Sequence, residues 1–210
     1  MSARDAVNPR PAPAGRRERN KERARERFYT AAITLFAEQG YDKTTVDDIA
    51  ERADFARGTF FNYFQHKEDV IAEWVERRRK RLKEGLEANP HPENAYVVAR
   101  LRSSLSLLAE VNTDEAEIAP ALVTAWVKTG RPITEEPHTA EMFAEIVEQG
   151  RRQGEIDPDV DPQQVGGILL DCYLGVLFRW VQHGAAKVDL DRELQDVLKI
   201  ITPGILARKS

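Results

Sequence analysis

Residues 40–70 read GYDKTTVDDIAERADFARGTFFNYFQHKEDV, and the two short helices in this stretch decide the fold. Thr44 is a good N-cap with Asp47 three residues on, the pattern of a capping box. Val46, Ile49 and Ala50 share one face, so the spacing predicts a helix of about two turns over 45–52. A break at 53–56 follows. RGTFFNYF, from Arg57 to Phe64, predicts a second short helix with Phe60 and Phe64 on one side.

Upstream, Phe28, Ala31, Ala32, Leu35 and Phe36 recur at helical spacing and Gly40 stops the run, which predicts a helix over about 20–39. Ahead of it, arginines from Arg16 to Arg27 alternate with Glu18, Glu22 and Glu26, and residues 1–15 are rich in Pro, Ala and Gly. That composition predicts a disordered segment at 1–15 leading into a basic flexible arm. Downstream, a turn at 65–67 precedes a long helix to about Ala88, closed by Asn89-Pro90-His91-Pro92. Further helices are expected at about 93–111, 115–129, 138–153, 162–183 and 190–202. Asp161-Pro162-Gln163-Gln164 is a strong start signal, with Asp at the N-cap and Pro at the first helical position. No segment alternates with period two, so the fold class is all-α with about nine helices.

The 210 residues carry a net charge of −4, which by itself argues against a nucleic-acid partner. Its distribution argues the other way. Residues 1–85 hold 19 Lys/Arg against 15 Asp/Glu, a net of +4, and the rest is acidic with 12 against 20. The longest apolar run, near Val165–Trp180, is broken by Asp171 and Arg179 and reads as too short and too charged to span a membrane. One cysteine, Cys172, allows no disulfide within the chain. With no secretory leader, these features predict a soluble cytoplasmic protein. The histidines His66, His91, His138 and His183 lack metal-ligand spacing. There is no glycine-rich phosphate loop and no nucleophile elbow. Asp157, Asp159 and Asp161 are explained by a turn and a helix start. Neither an enzyme nor a metal or cofactor is expected.

Two short helices joined by a tight turn and backed by a third are what a helix-turn-helix requires. The first crosses the DNA backbone, and the second sets its N-terminal side chains on base edges in the major groove. Phe28, Phe36, Tyr41, Ile49, Phe55, Phe60, Phe64 and Trp74 supply a small aromatic core to hold the pair rigid. At this point residues 40–68 resemble the signature of the TetR family of bacterial repressors. The shared elements are Gly-aromatic, Thr-Thr, Ile-Ala, Gly-Thr, Tyr-Phe and Lys-Glu, with Phe61 where the pattern has its first Tyr.

The resemblance implies a three-helix DNA-binding domain at 16–66 and a ligand-binding and dimerisation domain at 67–210. It implies a cytoplasmic, nucleoid-associated homodimer that binds a palindromic operator in double-stranded DNA and is released by a small inducer. Thr44, Thr45, Tyr63 and Lys67 match phosphate contacts. Arg57, Thr59 and Phe61 occupy the outward front of the recognition helix, with Arg57 suited to guanine and Phe61 to a thymine methyl. Gly58 lets the backbone approach the groove. Arg16, Arg17 and Arg19 would enter the adjacent minor groove. The sequence departs from the pattern at the turn glycine, here Asp54, which must take left-handed backbone. It departs again at the N-cap serine, here Ala56, at a cost of about 1 kcal/mol.

In the C-terminal part, Tyr96, Leu105, Trp126, Met142, Phe143, Cys172 and Tyr173 are candidate pocket residues for an apolar or aromatic ligand. The helix at 162–183 is apolar over most of its circumference, as a helix buried on two sides would be. Leu170, Leu174, Leu177 and Val181, with Leu194, Leu198 and Ile201 of the last helix, are the expected dimer face. Gly166, Gly167 and Gly175 would allow close approach. Two other readings share this fold: a helical interaction protein that does not read DNA, and an activator.

Overall fold

The computed structural model describes residues 15–88, 95–134, 138–184 and 186–207. The segment at 1–14, the proline-rich stop at 89–92 and the expected start at 93 lie outside them. The described residues form ten helices and no strand. These are α1 (Arg16–Gln39), α2 (Val46–Ala53), α3 (Arg57–Phe60), α4 (Glu68–Ala88) and α5 (Val97–Thr113). They continue with α6 (Ala119–Lys128), α7 (Arg131–Thr134), α8 (His138–Arg152), α9 (Pro162–His183) and α10 (Leu190–Ile205). The single turn α7 stands where the sequence predicts a loop.

The head of the molecule is the bundle α1–α3. Phe28 is fully buried at its centre, stacked on Phe55 at 4.9 Å between ring centroids and edge-on to Phe60 at 5.6 Å. Burial of two or three such rings supplies several kcal/mol, enough to fix helices too short to stand alone. Three local expectations are corrected. Helix α1 begins at Arg16, so Arg16, Arg17 and Arg19 lie in its first turn and not in a flexible arm. The capping box sits one residue later than expected: Thr45 accepts from the Asp48 N–H, and the Thr45 N–H donates to the Asp48 carboxylate. The regular part of the third helix is only four residues, continued by turn-type bonds from Asn62 and Tyr63. Ala56 gives it no side-chain cap. Asp54 adopts the left-handed conformation, φ 59° and ψ 49°.

Helix α4 joins head to body. Arg77 donates to both carboxylate oxygens of Glu26 on α1, to Glu73 one turn back, and lies 3.6 Å over the Tyr29 ring. Arg25 donates to Glu73 at 2.8 Å and to the Tyr63 carbonyl at 3.1 Å. Burial pushes the Tyr29 hydroxyl up to about 12. The Arg77 hydrogen bonds hold the Glu26 carboxyl below the ordinary carboxylate range.

In the body, α8 and α9 pack closest at Gly166, where a Cβ would stand 2.3 Å from the Ala140 carbonyl oxygen. That glycine therefore serves a contact within the chain. Asp161 and Asp189 cap α9 and α10 as their positions suggest. The end of α10 is pinned to the α8–α9 turn by Asp157 N–H to Ile205 O and Ala207 N–H to Glu155 O. Helix α9 is, by length and composition, apolar enough to cross a membrane. This corrects the estimate from the sequence, because its apolar span includes both Asp171 and Arg179 without being broken. Leu169, Tyr173, Val176, Leu177 and Trp180 on one side are buried inside the chain, as in a core helix, while Ile168 and Phe178 on the other are exposed.

The Glu26–Arg77 clamp fixes a pH dependence. A depressed carboxyl pKa contributes stability that is complete above the unfolded value near 4.3 and is lost as pH falls through the folded value. Glu26 is half exposed, so the contribution is small. Denaturant titrations should show Glu26→Gln less stable than the parent at pH 6, with the gap closing as pH falls below the ordinary carboxylate range. A gap that does not change with pH would assign the loss to packing.

Candidate nucleic-acid interface and helical-bundle cavity

The front of α3 presents Arg57, Gly58, Thr59 and Phe61 together at one end of the molecule. Arg57 and Gly58 are exposed, Thr59 is half-buried, and Phe61 keeps 46% of its surface in solvent. The other phenylalanines of the head are buried or half-buried, so Phe61 is the phenyl ring that the head leaves to an approaching surface. A Cβ at Gly58 would meet nothing within 4 Å, so the backbone there is open to an approaching surface. Arg57 reaches Asp47 at 3.5 Å, with both side chains more than 60% exposed. Such a pair is worth under about 1 kcal/mol and gives way readily to a stronger acceptor.

Behind this front the structure separates residues that the sequence grouped. Thr45 is exposed at the start of α2, where the helix end favours an anion. Thr44 is 1% exposed, and its hydroxyl donates to the Gly40 carbonyl and accepts from Gln39. Thr44 is thereby removed from any direct contact and becomes part of the α1–α2 turn. Tyr63 is half-buried against Phe28, 5.7 Å between ring centroids. Lys67 donates to the carbonyls of Tyr41 at 2.8 Å and Thr44 at 2.9 Å, and its Nζ lies 4.1 Å over the Tyr41 ring. Two of its three N–H groups thus tether the α1–α2 turn. Arg16, Arg17 and Arg19 are exposed along the start of α1. A further link, Lys128 to Asp42, ties α6 to the same turn.

The body encloses a cavity of about 150 Å³ between α4, α5, α6, α8 and α9. Its wall is mainly apolar: Trp74, Val75, Leu82, Leu108, Val111, Val123, Trp126, Leu170, Leu174 and Leu177, with Pro132 and Thr139 at one side. Arg78, Asn112 and Tyr173 are its polar groups on the inner side, and Arg79 and His138 are shared with an adjoining groove that includes Glu76 and Met142. Asn112 is fully buried and donates to the Leu108 carbonyl at 2.7 Å and the Tyr173 hydroxyl oxygen at 2.9 Å. Arg78 donates to the Asn112 carbonyl at 2.5 Å, to Glu115 at 2.7 Å and to the Val111 carbonyl at 3.2 Å. Trp74 Nε1 also donates to Glu115, at 3.1 Å.

Of the expected pocket residues, Trp126 and Tyr173 line the cavity and Met142 the adjoining groove. Tyr96 does not, being 74% exposed at the start of α5. Leu105 and Phe143 are buried elsewhere in the core, and Cys172 is half-buried on a part of α9 away from the wall. Arg78 and Asn112 were missed. Arg78 is hidden in a run of basic residues. Asn112 carried a signal, since it sits four residues after Leu108 on the buried stripe of α5, where a polar side chain must have a partner.

The expected dimer face is also redrawn. Leu177, Leu194 and Leu198 are buried within the chain, and Leu170 and Leu174 line the cavity while half-buried. Val181 and Ile201 are half-buried. The apolar side chains left in solvent on α9 and α10 are Ile168, Phe178 and Ile200, at 43%, 39% and 79%. A Cβ at Gly167 would meet nothing within 4 Å, so the α9 surface is flat there.

A three-helix head with a short exposed helix, on a helical body with an internal cavity, is the build of a ligand-responsive DNA-binding regulator. Residues 28–74 match the family model of bacterial regulatory proteins of the tetR family. The HTH-type transcriptional regulator YfiR of Bacillus subtilis is 28% identical over 81% of this chain and 86% of its own. The HTH-type transcriptional repressor KstR of Mycolicibacterium smegmatis is 22% identical over 88% and 89%. Among solved structures, the TetR family repressor FadR of Thermus thermophilus, in complex with lauroyl-CoA, is 29% identical. It covers 89% of this chain and 97% of its own, at a TM-score of 0.65. The head, residues 28–74, is that of bacterial regulatory proteins of the tetR family, and the chain is a DNA-binding transcriptional regulator.

The tether geometry gives a direct test. Lys67→Ala should lower unfolding stability by about 1–3 kcal/mol, because two carbonyls lose a charged donor. Urea denaturation of the purified variant measures this without DNA. Unchanged stability would show that Lys67 is not holding the turn.

Proposed function

We propose that this chain is a cytoplasmic repressor that binds a palindromic operator as a homodimer and releases it when a small apolar molecule enters the cavity. The observation that carries this reading is the front of α3, where Arg57, Gly58 and Phe61 stand exposed, with Thr59 half-buried between them, on an aromatic core. Residues 16–66 act as the reading head and 67–210 as the sensing and dimerising body. Arg57 reads a guanine, Phe61 packs on a thymine methyl, and Gly58 and Thr59 lie against the groove. Thr45, Tyr63 and the third N–H of Lys67 hold phosphates, and Arg16, Arg17 and Arg19 follow the backbone toward the minor groove.

Relatives support the ligand-responsive part. FadR of Thermus thermophilus was solved with lauroyl-CoA, and SmeT, a repressor of the Stenotrophomonas maltophilia multidrug efflux pump SmeDEF, with triclosan. For this chain, the apolar cavity wall favours an apolar ligand. A second copy of the chain covers Ile168, Phe178 and Ile200, together with the half-buried Val181 and Ile201, in a two-fold four-helix contact. That contact sets the two reading heads at a fixed separation, and ligand shifts the population toward a state with another separation.

Selection from a random duplex pool at near-physiological salt should enrich a palindrome. Arg57→Ala should then relax preference at one position per half-site, whereas losses equal on specific and random DNA would remove Arg57 as a base reader. Failure to enrich any motif with a folded dimer would contradict operator binding. The interface is tested separately: Ile200→Glu places two charges across the two-fold contact, and light scattering should find a monomer at micromolar concentration. A persistent dimer would move the interface off α10.

A further inference from the structure

We propose that the cavity receives the oxygen end of a small apolar acid or carbonyl compound, held by the Arg78 guanidinium and the Tyr173 hydroxyl. This deepens the ligand-responsive reading and rests on it. Asn112 is the positioning residue. Its carbonyl must face Arg78, because a guanidinium only donates, so its amide N–H groups must face Leu108 O and Tyr173. With its oxygen accepting from Asn112, Tyr173 has its own proton left to donate, and no acceptor for that proton is found among the described residues. The described residues bond three of the five N–H groups of Arg78, two through Nη1 and one through Nη2.

Two side chains are thus held side by side on the cavity wall with donors remaining. Neither offers an acceptor to a ligand, since Arg78 has none and the Tyr173 oxygen is engaged. The occupant must therefore bring the acceptor. The rest of the inner wall, including Val75, Leu82, Leu108, Val123 and Leu174, demands an apolar body. At about 150 Å³ the cavity matches the size that accepts a single six-membered ring. Longer substituents have the adjoining groove past Arg79 and His138.

The test is calorimetric titration of the full chain with three probes of one shape: ethylbenzene, acetophenone and phenylacetate. The oxygen-bearing probes should bind about tenfold more tightly than ethylbenzene, the worth of one or two retained hydrogen bonds. Tyr173→Phe should reduce that preference to about threefold and leave ethylbenzene unchanged. Preference for phenylacetate alone identifies a carboxylate as the occupant, and equal preference for acetophenone identifies a neutral carbonyl. Equal affinity for all three probes in the parent, or an undiminished preference in folded Tyr173→Phe, would overturn the oxygen subsite while leaving an apolar cavity. No heat with any probe would overturn the subsite and the cavity together. Failure of the operator selection would instead remove the DNA reading and leave these titrations interpretable.

Discussion

Arg77 and Arg78 stand next to each other on α4 and hold opposite halves of the molecule. Arg77 clamps Glu26 of α1 and stacks on Tyr29, so it belongs to the reading head. Arg78 is bound to Asn112 and Glu115, so it belongs to the cavity wall. Neighbouring residues on a helix point about 100° apart, which is why one dipeptide can serve both sides. The Arg78 bonds lie in a partly buried setting, where charge-assisted bonds are worth more than at a surface, and the more exposed Arg77–Glu26 pair is backed by the largely buried Glu73. The connection between head and body is therefore a continuous helix with a fixed rotational setting.

This arrangement explains why a ligand in the body is able to affect the head. A group that takes the remaining hydrogen bonds of Arg78 pulls on the guanidinium that Asn112, Glu115 and the Val111 carbonyl hold, and so acts on how α4 lies on α5. The head follows α4 because of Arg77, Arg25 and Glu73. A second route runs through Lys128 and Asp42, from α6 in the cavity wall to the turn that Lys67 tethers. A ligand alters DNA affinity only by its differential affinity for the two settings of these contacts.

Much of the head was legible in the sequence because its signals are local. The helix stops, the aromatic spacing and the left-handed site at Asp54 are each set by residues a few positions apart, and each is where the pattern placed it. The capping box moved by one residue because Thr44 and Thr45 compete for the cap, and burial of Thr44 decides between them. The body was less legible because its signals are not local. The apolar band of α9 does not say which side meets the cavity and which meets solvent. Leu170, Leu174 and Leu177 were read as a dimer face, whereas the packing of α9 on α8, α10 and α6 sets them on the cavity wall and leaves Ile168 and Phe178 in solvent. Arg78 looked like one more residue of a solvated basic run until α5 was placed beside it.

The most direct test of α4 as a rigid connector is the distance between the two reading heads in the proposed dimer. Pulsed electron spin resonance with a label at Asn62→Cys, in a Cys172→Ser background, reads this single separation. The label site is exposed beside α3, clear of the helix contacts described above. The account predicts one narrow distance distribution for the otherwise unchanged protein and a broad one once Arg77→Ala releases α1 from α4. An equally narrow distribution at the same distance in folded Arg77→Ala would show that the clamp does not set the heads, and would contradict it.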